Sequence, residues 1–374
     1  MKDLKRYPVI LLLFGLIGIF FVANLLTPAR TFSEMENRYL NQWPEFSLSA
    51  IADSSSKGFA QKFEQYVNDQ FALRDSWISL KSRCEALLGK TENNGIVYGD
   101  NGYLFEKFRA YDAQRLDKNV GYLEEFAALN PDVNKYLMVV PGSYNILSGF
   151  VPKGLGNIDQ LPLIEAIGAR LAQSGYTGMD VAENLLAHTD EYIYYRTDHH
   201  WTTGGAWYGY ECFAHTAGLA ATVPEQSIVH SAEGFFGTYY SKAKKFDAAA
   251  DAITWYDLPV RTVTIDGEAV DSMYDMAALD TRDKYALFLH ANNGVTVIEN
   301  DRAPEGAIMV IKDSYANCFV PFLTQNYRKV VVVDLRSLPQ GINALIKTEQ
   351  VRDVLVLYSF SNLASDANLS RIRY

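Results

Sequence analysis

The chain has 374 residues, 48% of them hydrophobic and 21% charged, with a formal net charge of −10. That apolar share excludes a largely disordered protein, and the length accommodates one large domain or two ordinary ones. No dense Lys/Arg run is present, so binding to a nucleic-acid backbone, which needs concentrated positive charge, is disfavoured. Three cysteines (Cys84, Cys212 and Cys318) lie far apart, which excludes a disulfide scaffold and a clustered-cysteine zinc site. Aromatic residues make up 13% of the chain, including 24 Tyr. That suits a sugar-handling surface, and equally a well-filled core.

In chain order, Val9–Leu26 comes first, eighteen residues without a charge and with a single Asn. At about 1.5 Å per residue it nearly crosses a ~30 Å hydrocarbon core. Lys2, Lys5 and Arg6 precede it, so the positive-inside rule leaves residues 1–8 as a cytoplasmic tail and exports the rest. The competing reading is a cleaved signal peptide. Thr27-Pro28-Ala29 is a poor small-residue cleavage site and the apolar run exceeds the usual ~7–15 residues, so a retained anchor over 9–26 is favoured. No second run of this kind follows, which predicts a single-pass protein of the cell membrane with the bulk of the chain extracytoplasmic.

Residues 27–58 read as a polar stalk and 59–374 as the extracytoplasmic domain. Phe59, Phe63, Tyr66 and Phe71 recur at helical spacing, and Trp77, Ile78 and Leu80 carry the signal on to Leu88. Gly95–Phe105 predicts a hairpin turning at Asn101-Gly102, and a helix is expected around Asp112–Asn130. Four apolar runs follow, each ending in polar or small residues: Tyr136–Val140, Ile308–Ile311, Val330–Val333 and Val354–Tyr358. Helical segments are expected at 160–173, 203–217, 315–326 and 340–348. Continuous apolar strands alternating with helices predict a mostly parallel α/β sheet covered on both faces, with ligands outside the carboxyl ends of the strands. Residues 221–300, with short strands at Val260–Ile265, Ala286–Leu289 and Val295–Ile298, read as a β-rich insertion.

The densest chemical signal is Tyr194-Tyr195-Arg196-Thr197-Asp198-His199-His200-Trp201-Thr202, which holds two of the six histidines. One reading is an acid/base pair, with Asp198 orienting the His200 imidazole to activate a hydroxyl. A second is a metal held by Asp198, His199 and His200. Adjacent histidines in extended backbone face opposite ways, and no further cluster supplies the missing ligands. A third is a polar knot that pins a loop. The second cluster is Lys312-Asp313-Ser314-Tyr315-Ala316-Asn317, where an apolar strand meets a helix. A serine there exposes its oxygen at a helix N-terminus, as a nucleophile requires, although Asp313 or Ser314 also suits an ordinary N-cap.

These two clusters carry a resemblance. TDHHWT, KDSYANCFVPFL and the downstream VVVVDLR resemble the DHHW family of bacterial surface proteins, and more widely the SGNH-hydrolase-like AlgX/AlgJ/DltD group. SEMENRYLNQWPEF, YVNDQFALRDSW and NGYLF are similar to the same group, so the resemblance spans most of residues 33–360. It implies an SGNH-hydrolase-like three-layer α/β/α domain that O-acetylates a surface polysaccharide. The acyl group would come from a multi-pass membrane-bound O-acyltransferase, and no cofactor or metal is implied. The family's nucleophile maps to Ser314 and its Asp-x-His pair to Asp198 and His200. Asn293 is the preferred side-chain oxyanion donor, ahead of Gly142-Ser143 and Asn317, although His290-Ala291 replaces the usual glycine-rich stretch and a plain Asn-Gly turn is the favoured account of it. Trp201, Tyr195 and Arg196 are candidate walls for a saccharide. The alternatives are an acetyl esterase using the same residues and a non-catalytic polysaccharide-binding scaffold. DHH phosphoesterases share Asp-His-His, but their further metal motifs are not found in this chain.

Overall fold

The computed structural model describes residues 7–53, 55, 58–223, 227–338 and 341–374, so Lys2, Lys5, Arg6 and most of the expected cytoplasmic tail lie outside the described residues. The chain divides into two compact units, one of residues 1–91 with 244–247, the other of 92–243 with 248–374.

The first unit begins with helix α1 (Pro8–Leu26), none of whose side chains is buried. Residues 27–58 contain a two-residue strand pair, Phe32–Ser33 with Arg38–Tyr39, and a short helix, Leu48–Ala52. The helical run expected from Phe59 to Leu88 is two helices, Phe59–Gln70 and α2 (Arg74–Leu87). Leu73, with φ +58°, breaks it, since left-handed backbone cannot continue a right-handed helix. Buried Asp69 pairs bidentately with Arg38 and accepts from the Asn41 backbone N–H, while Glu36 accepts from Arg74 and Lys244.

The second unit is built on one eight-stranded sheet. Its strands are β1 (Asn134–Val140), β2 (Tyr176–Gly178), β3 (Thr262–Ile265), β4 (Glu268–Val270), β5 (Val295–Glu299), β6 (Ala307–Lys312), β7 (Lys329–Val333) and β8 (Asp353–Ser359). The spatial order is β4-β3-β5-β7-β6-β8-β1-β2. Neighbours from β7 to β2 pair in parallel, and β5, β3 and β4 extend that edge antiparallel. Part of the β-rich insertion therefore completes the main sheet, while Val229–Phe235 and Asp251–Tyr256 form a separate antiparallel pair.

The apolar runs are continuous because both faces of the sheet are covered. Ile308, Val310, Val330, Val332, Leu355 and Leu357 face one core, which includes Ala206, Tyr210 and Phe213 of helix α5 (Thr203–Thr216). The alternate residues Met309, Ile311, Val331, Val333, Val354 and Val356 face the other. That core is covered by α3 (Ala113–Leu129), α4 (Leu161–Ala172) and α6 (Ile342–Thr348). The result is a three-layer α/β/α arrangement. The hairpin at Ile96–Tyr98 and Leu104–Glu106 forms as expected, with Asn101 and Gly102 both at positive φ.

Two expected elements differ. Ala286–Leu289 lies in and just past a 3-10 turn, Lys284–Leu287, because Leu289, His290 and Ala291 all take positive φ and the chain cannot run on extended. The helix expected over 315–326 is a 3-10 turn, Ser314–Asn317, followed by a short helix, Val320–Leu323, with Pro321 in its first turn.

Candidate active site

Strand β6 is buried along its whole length and stops at Lys312, where the chain turns sharply at the carboxyl edge of the sheet. Asp313 makes that turn. Its Oδ1 accepts from the Tyr315 N–H at 2.9 Å, as an N-cap does. Its Oδ2 accepts from the Ser359 N–H and hydroxyl at 2.8 and 2.7 Å and from Asn362 at 2.8 Å, tying the end of β6 to the end of β8. With Asp313 acting as the cap, Ser314 is left half-buried with its hydroxyl free for other work. Its N–H opens the 3-10 turn, one of the donors such a turn cannot satisfy from within.

The Asp198–His200 loop meets this serine from 114 residues away. His200 Nε2 lies 2.8 Å from Ser314 Oγ, and Nδ1 lies 2.5 Å from Asp198 Oδ1. Asp198 Oδ1 also accepts the His200 backbone N–H at 2.9 Å, and Oδ2 accepts the Thr238 N–H at 2.7 Å. These bonds orient the imidazole with one nitrogen toward a carboxylate and the other toward a hydroxyl. That is the geometry in which a serine can be deprotonated as it attacks.

Electrostatics follows from burial. Burial would raise the Asp198 carboxyl, but His199 and His200 hold it well below the ordinary range. Burial pushes His200 down to about 4, helped by the neighbouring His199 and opposed by Asp198. His199 is moved the other way: burial opposes its charge, but the Asp198 carboxylate overcomes it and raises the imidazole. His199 Nδ1 lies 2.7 Å from Thr238 Oγ1 and 3.3 Å from Asp198 Oδ1. The donor atoms of Asp198, His199 and His200 do gather within 4.8 Å, but those of Asp198 and His200 are already engaged by protein groups and by Ser314.

The other expected site residues fall in different places. Trp201 is fully enclosed, its indole N–H donating to the Tyr315 carbonyl at 2.8 Å. Helix α5 makes room for it with Gly209, where a Cβ would come within 2.7 Å of the indole ring. Tyr195 is also enclosed, edge-on to Tyr285, so neither ring offers a face to solvent. Arg196 is half-buried, its guanidinium over the rings of Tyr192 and Tyr103. Asn293 spends its amide on the carbonyls of Leu289 and His290, at 2.9 and 3.1 Å. Asn317 and Asn292 both accept from buried Lys312 Nζ, at 2.6 and 2.7 Å. Burial lowers that lysine to about 8.

Three contributors are not singled out by the sequence. Gly237 lies against Asp198, where a Cβ would be 2.1 Å from that of the aspartate. Buried Asp251 accepts from the Tyr192 hydroxyl, the Arg196 and Thr197 N–H groups and the Thr197 hydroxyl, and so braces the residues just before Asp198. Tyr285 stacks on His200, and its hydroxyl donates to the Ser314 carbonyl at 3.1 Å. The faint signals were a glycine between aromatics before Thr238, and an aspartate opening a β-run. A concavity of about 1360 Å³ lies at the opposite ends of the strands, lined by Asn134, Ala307, Lys329 and Asp353 among others. It is remote from Ser314.

Residues 174–333 match the family model described as DHHW protein. A DHHW family protein from Eubacterium siraeum shares the fold at a TM-score of 0.65, with 25% identity over 75% of this chain and 95% of that one. PatB1 of Bacillus cereus does so at 0.62, with 21% identity over 74% of this chain and 99% of that one. PatB1 with a sulfonyl adduct matches at 0.61, with 20% identity over 75% and 100% of the two chains. No curated protein sequence matches. The DHHW resemblance read from the two clusters thus has both a sequence and a structural counterpart: residues 174–333 match the DHHW protein model, and a DHHW family protein shares the fold.

Proposed function

We propose that this protein is an extracytoplasmic, serine-dependent O-acyltransferase that places acetyl groups on a cell-surface polysaccharide. The observation that carries the reading is the relay from Asp198 Oδ1 to His200 Nδ1, 2.5 Å, and from His200 Nε2 to Ser314 Oγ, 2.8 Å. The acetyl class and the glycan acceptor rest on the resemblance of the DHHW and KDSYAN segments to the polysaccharide O-acetyltransferase group.

In this mechanism Ser314 Oγ attacks the acyl donor's carbonyl carbon while His200 Nε2 takes its proton. Asp198 holds the imidazole and stabilises the imidazolium that forms. The Ser314 N–H, not satisfied within its own turn, is the oxyanion donor in this reading, and losing one such donor costs on the order of 10²–10³ in rate. The imidazolium then protonates the leaving group. A sugar hydroxyl, deprotonated by His200, then attacks the acyl carbon; the bond to Ser314 Oγ breaks, the imidazolium returns its proton to that oxygen, and the acetyl group leaves on the sugar. Asn293, as it stands, would have to give up two backbone acceptors to assist.

Helix α1 is the retained anchor in this reading, with residues 27–374 outside the cytoplasm and a multi-pass membrane-bound O-acyltransferase supplying the acyl group. The test is intact mass of the protein after exposure to an activated acetyl ester, wild type beside Ser314→Ala. An acetyl adduct on the wild type alone, mapped to Ser314, is the expected result. Transfer of that adduct to a saccharide rather than to water separates the transferase from an esterase. No adduct on either protein favours a binding scaffold.

A further inference from the structure

We infer that helix α2 lies in the membrane–water interface, as a second contact with the lipid bilayer beside the anchor helix. The inference rests on reading α1 as a retained span. Its starting observation is an apolar stripe that stays exposed among the described residues, touched only at Trp77 by the Phe20 ring of α1 among its aromatic contacts. Leu73, Trp77, Leu80, Cys84 and Leu87 are spaced four, three, four and three apart, so they share one face of α2 and its entry. Their exposures are 69% for Leu73, 42% for Trp77, 49% for Leu80 and 88% for Leu87, and Cys84 is exposed as well.

The opposite face of the helix is where α2 meets its own unit. Ser82, half a turn round from the stripe, is its buried residue, and Ser82 Oγ accepts the Phe246 N–H at 3.2 Å. The stripe is thus the outer face. Contiguous apolar surface of this kind on a folded protein marks an interaction site.

What covers it follows from α1. The Phe20 ring sits 5.6 Å from both Phe71 and Trp77, and Asn24 Oδ1 accepts the Ala72 N–H at 2.8 Å. Leu26 ends the anchor helix, so Phe20 is six residues, or about 9 Å, back from that end. The nineteen residues of α1 match the thickness of the hydrocarbon core, with little length to spare. If they span it, Phe20 lies about 9 Å inside the border, and its contacts hold Phe71 and Trp77 within the ~5–10 Å to which an interfacial helix sinks its apolar face. Tryptophan is a side chain enriched in the interfacial layers of a bilayer. The rest of the stripe runs on from Trp77 along the same face, and a bilayer surface is the apolar phase continuous with it. The four–three spacing would also fit the seam of a second helix, and the test separates the two.

A nitroxide on Cys84 of the full chain in phosphatidylcholine/phosphatidylglycerol vesicles reports its surroundings directly. Cys212→Ser removes the half-buried thiol, and Cys318 is buried. The reference sites are Lys118→Cys, an exposed charged position, and Leu13→Cys in α1, each with Cys84→Ser. We expect Cys84 to behave like Leu13→Cys: collisions with dissolved oxygen exceed those with a water-soluble nickel chelate, and chelate access is lost relative to Lys118→Cys. A label at Cys84 as open to the chelate as at Lys118→Cys, while Leu13→Cys is shielded, overturns the inference and leaves the anchor standing. Shielding of Cys84 from oxygen and chelate alike means a protein covers the stripe, and also overturns it. A chelate-accessible Leu13→Cys removes the anchor reading and this inference together.

Discussion

The phenol ring of Tyr285 lies flat on the imidazole of His200, ring centroids 3.8 Å apart and planes within 10°. Its hydroxyl reaches past the ring to the Ser314 carbonyl at 3.1 Å and to Cys318 Sγ at 3.3 Å. One side chain from the turn-rich segment thus touches both the proposed base and the residue that carries the proposed nucleophile. Tyr285→Phe keeps the stacking face and removes two hydrogen bonds. We expect a loss of acyl-enzyme formation of about tenfold, equivalent to roughly 1.4 kcal/mol, within the range of lost buried hydrogen bonds. Tyr285→Ala also frees the imidazole to rotate, and should cost at least ten times more. Stopped-flow acylation rates for the two variants, with melting curves to confirm folding, decide it; equal losses would mean the stacking does not position His200.

Replacing members of the relay should not give additive effects, because they act as one unit. Ser314→Ala removes the adduct outright. Asp198→Asn, which puts a donor where His200 Nδ1 needs an acceptor, is expected to slow acylation by about 10⁴ while the protein stays folded. The double variant Asp198→Asn/Ser314→Ala should be no worse than Ser314→Ala alone when acyl transfer is assayed.

The pH dependence carries a sign that can be checked. His200 must be neutral to accept a proton, and burial together with His199 depresses it to about 4, so acylation should hold down to mildly acid pH and fall only near that value. Removing the nearby cation with His199→Gln relieves part of the depression, and the acid limb should move upward, toward the ordinary histidine range near 6.5. Stability runs the same way for His200. Its folded value is below its unfolded one, so the unfolded chain binds more protons between about 4 and 6.5, and stability falls as pH drops through that window. His199, raised by Asp198, opposes this, its contribution fading as pH rises. A pH–rate profile of both proteins tests the shift; an acid limb that stays put in His199→Gln would sink the coupling.

Gly237 and Asp251 are expected to be structural supports of the relay. Gly237→Ala places a methyl 2.1 Å from Asp198 Cβ, so the aspartate or the loop must shift. We expect acylation to fall by 10²-fold or more, on the order expected for misplaced catalytic groups, with far-ultraviolet circular dichroism unchanged. Asp251→Ala leaves buried N–H groups of Arg196 and Thr197 without an acceptor. Each such orphan costs about 1–3 kcal/mol, so a clear drop in melting temperature should accompany the lost rate.

Much of this molecule was legible in one dimension because the signals are local. An uncharged run at 9–26, apolar strands ending at Val140, Ile311, Val333 and Tyr358, and helices between them follow from side-chain periodicity and from burial on both sheet faces. The Asp-x-His loop and the strand-end serine were legible as separate clusters, since unusual polar residues at an element boundary stand out in composition. What the sequence could not decide is whatever depends on segments meeting across space. That His200 reaches Ser314 rather than a second ligand set is a fact of β6 ending beside the loop before α5. Trp201 and Tyr195 read equally as saccharide walls or as core, and in the fold both rings are enclosed, since burying them yields more than exposing them would. Asn293 reads as a donor in sequence and turns back onto its own loop, because three consecutive residues at positive φ leave carbonyls that need it. Tyr285 carries no local pattern and Gly237 and Asp251 only faint ones; their roles exist because the fold delivers Gly237 to Asp198, Tyr285 to His200 and Ser314, and Asp251 to the residues just before Asp198.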